Sequence, residues 1–329
     1  MKLTWPLALG VLALAAACAI ALSTGTSNAS LARALFDASS NDRVIVMSLR
    51  LPRVLLGAVA GAGLAAVGVA FQAILRNPLA EPYILGVSGG AALGATIAIA
   101  CGVASSTLLG AEVLPIAALA CGLGATAFVY ALARGAGGGG SSILLAGVVV
   151  NAVASAAITF LKTLVPERVA QDILFWLVGF LDTPSSPAAL PLVALYVAIG
   201  AVVLLRDAGR LNLLALGSDQ AGHLGVDVGA LERRTLVACS LVVGAIVSVT
   251  GLIGFVGLIV PHVLRRLIGP DVRRLLPVSL PAGAAVLVAC DALSRILFHA
   301  LHTTPPVGAV TALIGGPLFL VLLRRRVTS

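Results

Sequence analysis

Long apolar stretches recur from one end of the chain to the other, and short polar segments separate them. A helix needs about 20 apolar residues to cross the hydrocarbon core of a bilayer. Ten stretches approach that length: residues 5–22, 54–75, 83–104, 113–132, 143–161, 188–205, 235–250, 252–268, 277–298 and 307–323. The pattern predicts an all-α, polytopic membrane protein in which residues 1–329 form a single transmembrane domain.

The apolar stretch at 235–268 is the place where the number of spans is open. It lies between two pairs of arginines and predicts either one long tilted helix or two short helices with a break near Thr250. Lys and Arg accumulate in the cytoplasmic loops of membrane proteins. With two helices, most of the 21 basic residues fall on the side that holds both termini, whereas one helix reverses the bias. The charge pattern therefore favours about ten spans with both termini in the cytoplasm.

The first apolar stretch has two interpretations. A cleaved signal peptide begins in a similar way. The run from Trp5 to Leu22 is longer than the apolar part of a typical signal peptide, and the polar segment after it only weakly resembles a cleavage site. Its length favours an uncleaved span.

Composition supports the membrane assignment. Hydrophobic residues make up 60% of the chain and charged residues 10%, with a mean hydropathy of +1.11, whereas soluble domains carry about 25% charged residues. The net charge of +8 follows from the basic inner loops, so it gives no support to nucleic-acid binding. The five cysteines are scattered singly and none forms a Cys-x-x-Cys pair, which favours small apolar packing residues.

Sequence features needed for chemistry are missing. Lys2 and Lys162 are the two lysines, and neither lies in a Gly-x-x-x-x-Gly-Lys loop, so the chain does not hydrolyse ATP by that route. His299 and His302 have no carboxylate or cysteine at ligand spacing, so no metal site is predicted. We expect a protein that is not an enzyme and that binds no cofactor itself.

Few ionisable residues lie within the predicted spans. Asp291 and Arg295 are one helical turn apart, and this spacing fits either a pair that locks the helix or an outward-facing contact through Arg295. A carrier coupled to protons or ions needs ionisable groups along its path and internal repeats. The sequence shows no convincing repeat and no further row of such groups, which speaks against an ion-coupled secondary transporter.

Three sequence blocks resemble one family of permeases. They are "RLPRVLLGAVAGAGLAAVGVAFQAILRNPLAEPYILGVSGGAALGA" (50–95), "GLIGFVGLIVPHVLRRLIGPDVRRLLP" (251–277), and "DALSRIL" to "PPVGAVTALIGGPLFLVLLRRR" (291–326). In this order and spacing they resemble the FecCD and vitamin B12 type permeases, the transmembrane subunits of type II ABC importers for iron–siderophore, haem or cobalamin.

The resemblance implies the partners and the cargo. Two copies of the permease would pair with a cytoplasmic ABC ATPase dimer that binds ATP and Mg²⁺, and a periplasmic or lipid-anchored binding protein would deliver the substrate. It also implies a multi-pass protein of the bacterial inner membrane. The expected cargo is an iron chelate, either a siderophore complex or haem; cobalamin is the alternative within the same family.

The polar turn "RNPLAEPYILGVSGG" (76–90) interrupts two apolar stretches. Pro78 and Pro82 disfavour a continuous helix, and Asn77 can bond its own local main chain. Gly86, Gly89 and Gly90 would allow the next helix to pack closely. The family resemblance places a cytoplasmic gate here, formed by Asn77 and Leu79 opposite Ser141 and Ser142; a simple helix-breaking turn is the other interpretation.

Outer-face arginines form the second candidate site. The resemblance implies that Arg50, Arg53 and Arg295 receive glutamates of the binding protein. Arginine suits this role because its planar guanidinium pairs with carboxylates through two hydrogen bonds. Solvated charges that anchor the interface are the other interpretation.

The third candidate site is the polar segment 217–234, between the sixth and seventh spans. Ser218 or Asp219 is predicted to cap a short helix, which Gly225 ends. Ala221, Leu224 and Val228 are predicted to share one face. The segment resembles the coupling helices that dock on the ATPase, and the resemblance assigns that role to Ser218, Ala221, Leu224, Gly225, Val226 and Val228. A plain inner loop is the alternative.

Overall fold

The computed structural model describes residues 4–27, 29–37, 39–108, 111–135, 140–182 and 186–327. The described chain is almost entirely helical, apart from a pair of two-residue antiparallel strands, β1 (Thr107–Leu108) and β2 (Ala111–Glu112). The α-helices are α1 Thr4–Ser23, α2 Leu31–Phe36, α3 Asn41–Val44, α4 Leu51–Ile74, α5 Val87–Ala100, α6 Val113–Gly135, α7 Gly140–Leu164, α8 Glu167–Val178, α9 Ala189–Leu214, α10 Ser218–His223, α11 Val228–Thr250, α12 Val256–Ile268, α13 Val272–Leu301 and α14 Val307–Val327. The all-α prediction is confirmed.

Each predicted span overlaps one of these helices. In the described part of the chain, 7 helices are long and apolar enough to cross a membrane. α5 and α14 are shorter apolar helices, and α12 has 13 residues with Arg265 and Arg266 in its last turn. The side of the membrane that holds the termini stays a prediction.

The predicted break in the 235–268 stretch is confirmed. α11 ends at Thr250 and α12 begins at Val256. Gly251 and Phe255 have φ angles of 66° and 68°, a left-handed conformation that is rare for an aromatic residue. The backbone N–H of Phe180 donates to the carbonyl of Thr250 at 2.8 Å, so the end of α11 is held from outside its own helix.

Two helical segments differ from the predicted spans. α8 lies where an outer loop was expected, and its mixed sequence buries Ile173 while leaving Phe175 62% exposed. The second span begins earlier than predicted, because α3 and a π-helical turn, Ile45–Arg50, run into α4 and give a helix of 34 residues, Asn41–Ile74. α8, with 12 residues, is too short to be one of the candidate spans.

Small residues let the backbones of the central helices touch. α4 is the most buried span, and it packs on α13 and α12 through facing glycines. A Cβ on Gly61 would collide with the carbonyl of Gly283, and one on Gly68 would collide with that of Gly257. Lipid provides no hydrophobic force between helices, so the association of α4 with α12 and α13 depends on such contacts.

Candidate functional site

The turn after α4 has the geometry that its sequence predicts. The side-chain Oδ1 of Asn77 accepts from the backbone N–H of Leu79 at 3.0 Å, and its carbonyl accepts from Ala80 N–H at 3.0 Å. Arg76 has a φ of 49° and Gly86 one of 83°, so the chain reverses sharply at both ends of the turn. The local main-chain role predicted for Asn77 is confirmed.

The same turn is bonded to the break between α11 and α12. The hydroxyl of Tyr83 donates to the carbonyl of Ile253 at 2.6 Å and accepts from the N–H of Ile253 at 2.7 Å. The carboxylate of Glu81 accepts from the N–H of Phe255 at 2.7 Å, which satisfies a donor at the start of α12. Burial raises the pKa of the Glu81 carboxyl, and the bond from Phe255 opposes that rise.

We call this set of bonds the turn–break clamp: Glu81 and Tyr83 on one side, Ile253 and Phe255 on the other. The sequence did not predict these bonds, although the polar side chains of Glu81 and Tyr83 between two apolar stretches indicated that they need partners. The clamp joins the predicted gate turn to a segment about 170 residues further along the chain.

Close packing holds α5 against α6 and α7. A Cβ on Gly89 would collide with Asn151 of α7, and one on Gly90 would collide with Ala125 of α6. The amide of Asn151 also donates to the carbonyl of Tyr83 at 2.8 Å. The glycines after the turn therefore act as predicted, and α7 is fixed to the turn that carries the clamp.

A cavity of about 530 Å³ runs beside α7 and is hereafter the α7 groove. One face of α7 lines it with Asn151, Ser155, Thr159 and Lys162. Residues at this spacing lie on one side of a helix, because 3.6 residues make a turn. The opposite face is apolar and includes Val153, which is 65% exposed. α7 thus presents a polar face to the groove and an apolar face to its surroundings.

The residues of the predicted gate lie at the ends of connected elements. Asn77 and Leu79 are half-buried in the turn, whereas Ser141 and Ser142 lie in the first turn of α7. The 3₁₀ turn Pro82–Leu85 packs on α7 and links the two regions. The gate is expected between two copies of the chain, so it stays a prediction.

Two arginines, Arg53 and Arg295, meet at a buried carboxylate. Asp291 is 1% exposed, and its Oδ1 lies 2.8 Å from Nη2 and 3.0 Å from Nε of Arg53. Its Oδ2 lies 3.0 Å from Nη2 of Arg295. Arg53 also reaches the exposed Asp182 at 3.4 Å. The sequence prediction of an Asp291–Arg295 pair is confirmed, and it is part of a larger cluster.

Arg50 and Arg295 are turned inward to the end of α1. Arg50 donates to the carbonyls of Leu22 at 2.8 Å and Ser27 at 2.6 Å. Arg295 donates to those of Ala21 at 2.8 Å and Thr24 at 3.1 Å. Cations are favourable at a helix C-terminus, where carbonyl groups lack intrahelical partners. Both arginines are buried, so Arg53 has the most accessible guanidinium of the three. Docking of a binding protein on these arginines stays a prediction.

The segment 217–234 contains a short exposed helix, α10. Gly217 precedes it without a side-chain capping bond, so the prediction that Ser218 or Asp219 caps the helix is wrong. Gly225 has a φ of 81°, and the predicted break there is confirmed. Ala221 is fully buried whereas Leu224 is 59% exposed. The prediction of one shared face is therefore wrong, because α10 ends at His223 and Leu224 lies beyond its last turn.

The rest of the segment is tied to the body of the protein. Val226 is buried and its N–H donates to the carbonyl of Ala221 at 3.0 Å, and Val228 is the half-buried first residue of α11. Asn212 of α9 is bonded to the start of α13. Its side-chain amide donates to Asp271 at 2.6 Å, and its side-chain oxygen accepts from Val272 N–H at 2.7 Å. α10 itself contacts α9 and α11, so the segment is attached to helices of the protein body.

In the described ranges no group of three or more His, Cys, Asp or Glu residues is placed to hold a metal ion. His299 instead lies 3.1 Å from the carbonyl of Gly25, and His302 ends α13 with a φ of 53°.

The helices of spanning length define the described chain as a polytopic membrane protein. The chain belongs to the FecCD transport family, whose family model matches residues 11–325. It is 44% identical over 295 residues to the cobalamin import system permease protein BtuC of Halobacterium salinarum, covering 88% of this chain and 76% of that protein. It is 37% identical over 296 residues to the hemin transport system permease protein HmuU of Yersinia pestis, covering 89% and 88%.

The fold agrees with a solved transporter. A metal-chelate type ABC transporter in an inward-facing conformation matches with a TM-score of 0.85 and 31% identity, covering 98% of this chain and 99% of that one. The protein is therefore the transmembrane permease subunit of an ABC importer and is not itself an enzyme. Membership implies partnership with a separate ATPase and a substrate-binding protein, and it is consistent with the bacterial inner membrane.

Proposed function

We propose that this permease carries an iron chelate, a siderophore complex or haem, into the cytoplasm. The observation that carries the proposal is the α7 groove, about 530 Å³ in volume, which one polar face of a spanning helix lines. Polar side chains within a membrane usually face protein or water instead of lipid. A similar permease is named for hemin transport.

The transport pathway in this proposal requires two copies of the chain. Residues 1–329 form one transmembrane domain, and two such domains in the lipid bilayer enclose a path along their two-fold axis, the commonest symmetry of homo-oligomers. The exposed apolar face of α7 supplies surface for a partner or for lipid. Asn77, Leu79, Ser141 and Ser142 close the cytoplasmic end of that path.

Energy reaches the pathway from a partner. ATP and Mg²⁺ bind to the separate ATPase, which contacts segment 217–234 through the exposed Leu224. Motion of α10 passes to α11 and to α9, which it contacts, and Asn212 bonds α9 to the start of α13. The turn–break clamp then moves the gate turn together with α12. Two discrete packings, biased by nucleotide in the partner, give alternating access.

The binding protein docks at the outer face in the same scheme. Arg53 supplies the first contact, since its side chain is 20% exposed and its bond to Asp182 is at the surface. Arg50 and Arg295 join only if their bonds to the end of α1 open. Glutamates of the binding protein are the expected partners, because guanidinium groups pair with carboxylates in a fixed geometry.

Cobalamin is the second candidate cargo, favoured by the 44% identity to a cobalamin import permease. ATP-dependent uptake into vesicles that hold this permease, its ATPase and a binding protein separates the two. We expect accumulation of haemin or a ferric siderophore. Uptake of cyanocobalamin alone would overturn the iron assignment, and uptake driven by a proton gradient without ATP would instead indicate an ion-coupled carrier.

A further inference from the structure

Lys162 occupies an unusual place for a lysine in this protein. The chain has 21 basic residues, and the ion pairs found among the described residues all use arginine. Lys162 instead lies in the last turn of α7, half-buried in the wall of the α7 groove. A cation inside a membrane protein is costly and usually faces a partner group or water.

The surroundings of Lys162 leave its charge without a carboxylate. The described residues that line the α7 groove include no aspartate or glutamate. Two hydroxyl residues, Ser155 and Thr159, lie on the same face of α7. Thr159 donates to the carbonyl of Ser155 at 2.9 Å, so its hydroxyl hydrogen is already engaged within the helix. On this face of α7, the ammonium of Lys162 and the hydroxyl of Ser155 are thus the donors to a ligand in the groove, together with the amide of Asn151.

The polar face is long enough to meet a bulky cargo at more than one point. Asn151 and Lys162 are 11 positions apart, which corresponds to about 16 Å along a helix. Asn151 is fixed to the turn that carries the clamp through its bond to the Tyr83 carbonyl at 2.8 Å. Lys162 therefore marks the end of the groove away from the gate turn.

We infer that Lys162 and Ser155 form a subsite for a carboxylate of the cargo, and that the transported chelate bears carboxylates. The inference rests on the proposed function and narrows it. A lysine ammonium and a hydroxyl both donate to carboxylate oxygens, and such charge-assisted hydrogen bonds are stronger than neutral ones. Haemin and ferric citrate bear carboxylates, whereas cobalamin has amides at its periphery and neutral hydroxamate chelates of iron bear no free carboxylate.

The test compares Lys162→Gln and Lys162→Arg with the unchanged chain in the complete importer. Haemin, ferric citrate, a neutral ferric hydroxamate and cyanocobalamin are the probes, each with a binding protein that accepts it. We expect Lys162→Gln to raise the KM for the carboxylate-bearing cargo about tenfold, the range for one charge-assisted hydrogen bond. Lys162→Arg keeps the charge and should stay within about twofold.

Arg168→Gln is the matched control, since it removes an exposed positive charge beyond the end of α7 and outside the groove. It should leave uptake of the carboxylate-bearing cargo unchanged. An equal loss in Arg168→Gln and Lys162→Gln would show a general effect of charge, such as contact with lipid phosphate, and would overturn the subsite. An unchanged KM in Lys162→Gln would overturn it as well.

The outcomes separate the subsite from the proposed function. Uptake of the neutral ferric hydroxamate without haemin or ferric citrate would overturn the subsite and leave the iron-chelate proposal standing. Uptake of cyanocobalamin alone would overturn both. Basal ATPase activity of the complex identifies a variant that fails to assemble. If Lys162→Gln fails to assemble, Lys162→Arg is compared with Ser155→Ala. We then expect uptake of the carboxylate-bearing cargo to decrease only in Ser155→Ala.

Discussion

The Asp291 carboxylate should stabilise the outer end of the protein more than any surface ion pair does. Asp291 is 1% exposed and Arg295 is 3% exposed, with 3.0 Å between Oδ2 and Nη2. Asp291→Asn keeps the shape of the side chain and removes its charge. Breaking a buried pair from one side costs about 3–5 kcal/mol, because the remaining charge is left without compensation.

The expected magnitude lies at the lower end of that range. Arg53 is 20% exposed and can turn towards Asp182, so the cost falls mainly on Arg295. We expect a loss of about 3 kcal/mol in the free energy of unfolding. Since the shift of Tm per kcal/mol falls as a chain becomes longer, this corresponds to a decrease of about 3–6 °C.

The assay is thermal unfolding of the purified protein in detergent, followed by the amount of intact protein after size-exclusion chromatography. Asp182→Asn is the control, since that side chain is 76% exposed and lies 3.4 Å from Arg53. Exposed pairs contribute about 0–1 kcal/mol, so its Tm should hardly change. The double variant Asp291→Leu with Arg295→Met should be more stable than Asp291→Leu alone. An unchanged Tm in Asp291→Asn, or an equal decrease in Asp182→Asn, would show that the buried Asp291 charge does not stabilise the protein more than an exposed pair does.

Three further predictions test the packing, the clamp and the coupling segment. Gly68→Ala should lower the Tm or abolish assembly because its Cβ would meet the backbone of Gly257, whereas Gly124→Ala, which has open space, should be neutral; equal stability of the two would contradict the observed packing. Tyr83→Phe removes two hydrogen bonds at the break and should cost about 1–3 kcal/mol in thermal unfolding; no change would show that water replaces the hydroxyl. Leu224→Ser should preserve the Tm, since the side chain is 59% exposed, and reduce substrate-stimulated ATPase activity; full stimulation would exclude Leu224 from the ATPase contact.

Hydropathy alone predicted most of the helices. The spans are long and uniformly apolar, so each can be recognised from a window of neighbouring residues. Gly251 and the flanking arginine pairs also indicated the break at 250–256. α8 was missed because its polar and apolar residues alternate as in an amphipathic helix, and Ile173 is buried by contact with Ala92 of α5 and Ile158 of α7. Such contacts do not appear in a window of neighbouring residues.

The candidate sites were predictable in part. The behaviour of Asn77 follows from bonds within its own turn, and these are local. The inward orientation of Arg50 depends on carbonyls at the end of α1, more than 20 positions away. The sequence shows that an arginine is present at this position, but it does not show which groups the guanidinium bonds. The clamp between Tyr83 and Ile253 was likewise invisible, because it joins segments 170 positions apart.

Uptake by the reconstituted importer tests directly whether this permease imports an iron chelate with energy from ATP. Vesicles containing this permease, its ATPase and binding protein would be supplied with haemin, a ferric siderophore or cyanocobalamin, with and without internal ATP. We expect ATP-dependent accumulation of an iron chelate, and a large decrease when Arg53 is changed to Glu. Accumulation that follows a proton gradient and needs no ATP would contradict it.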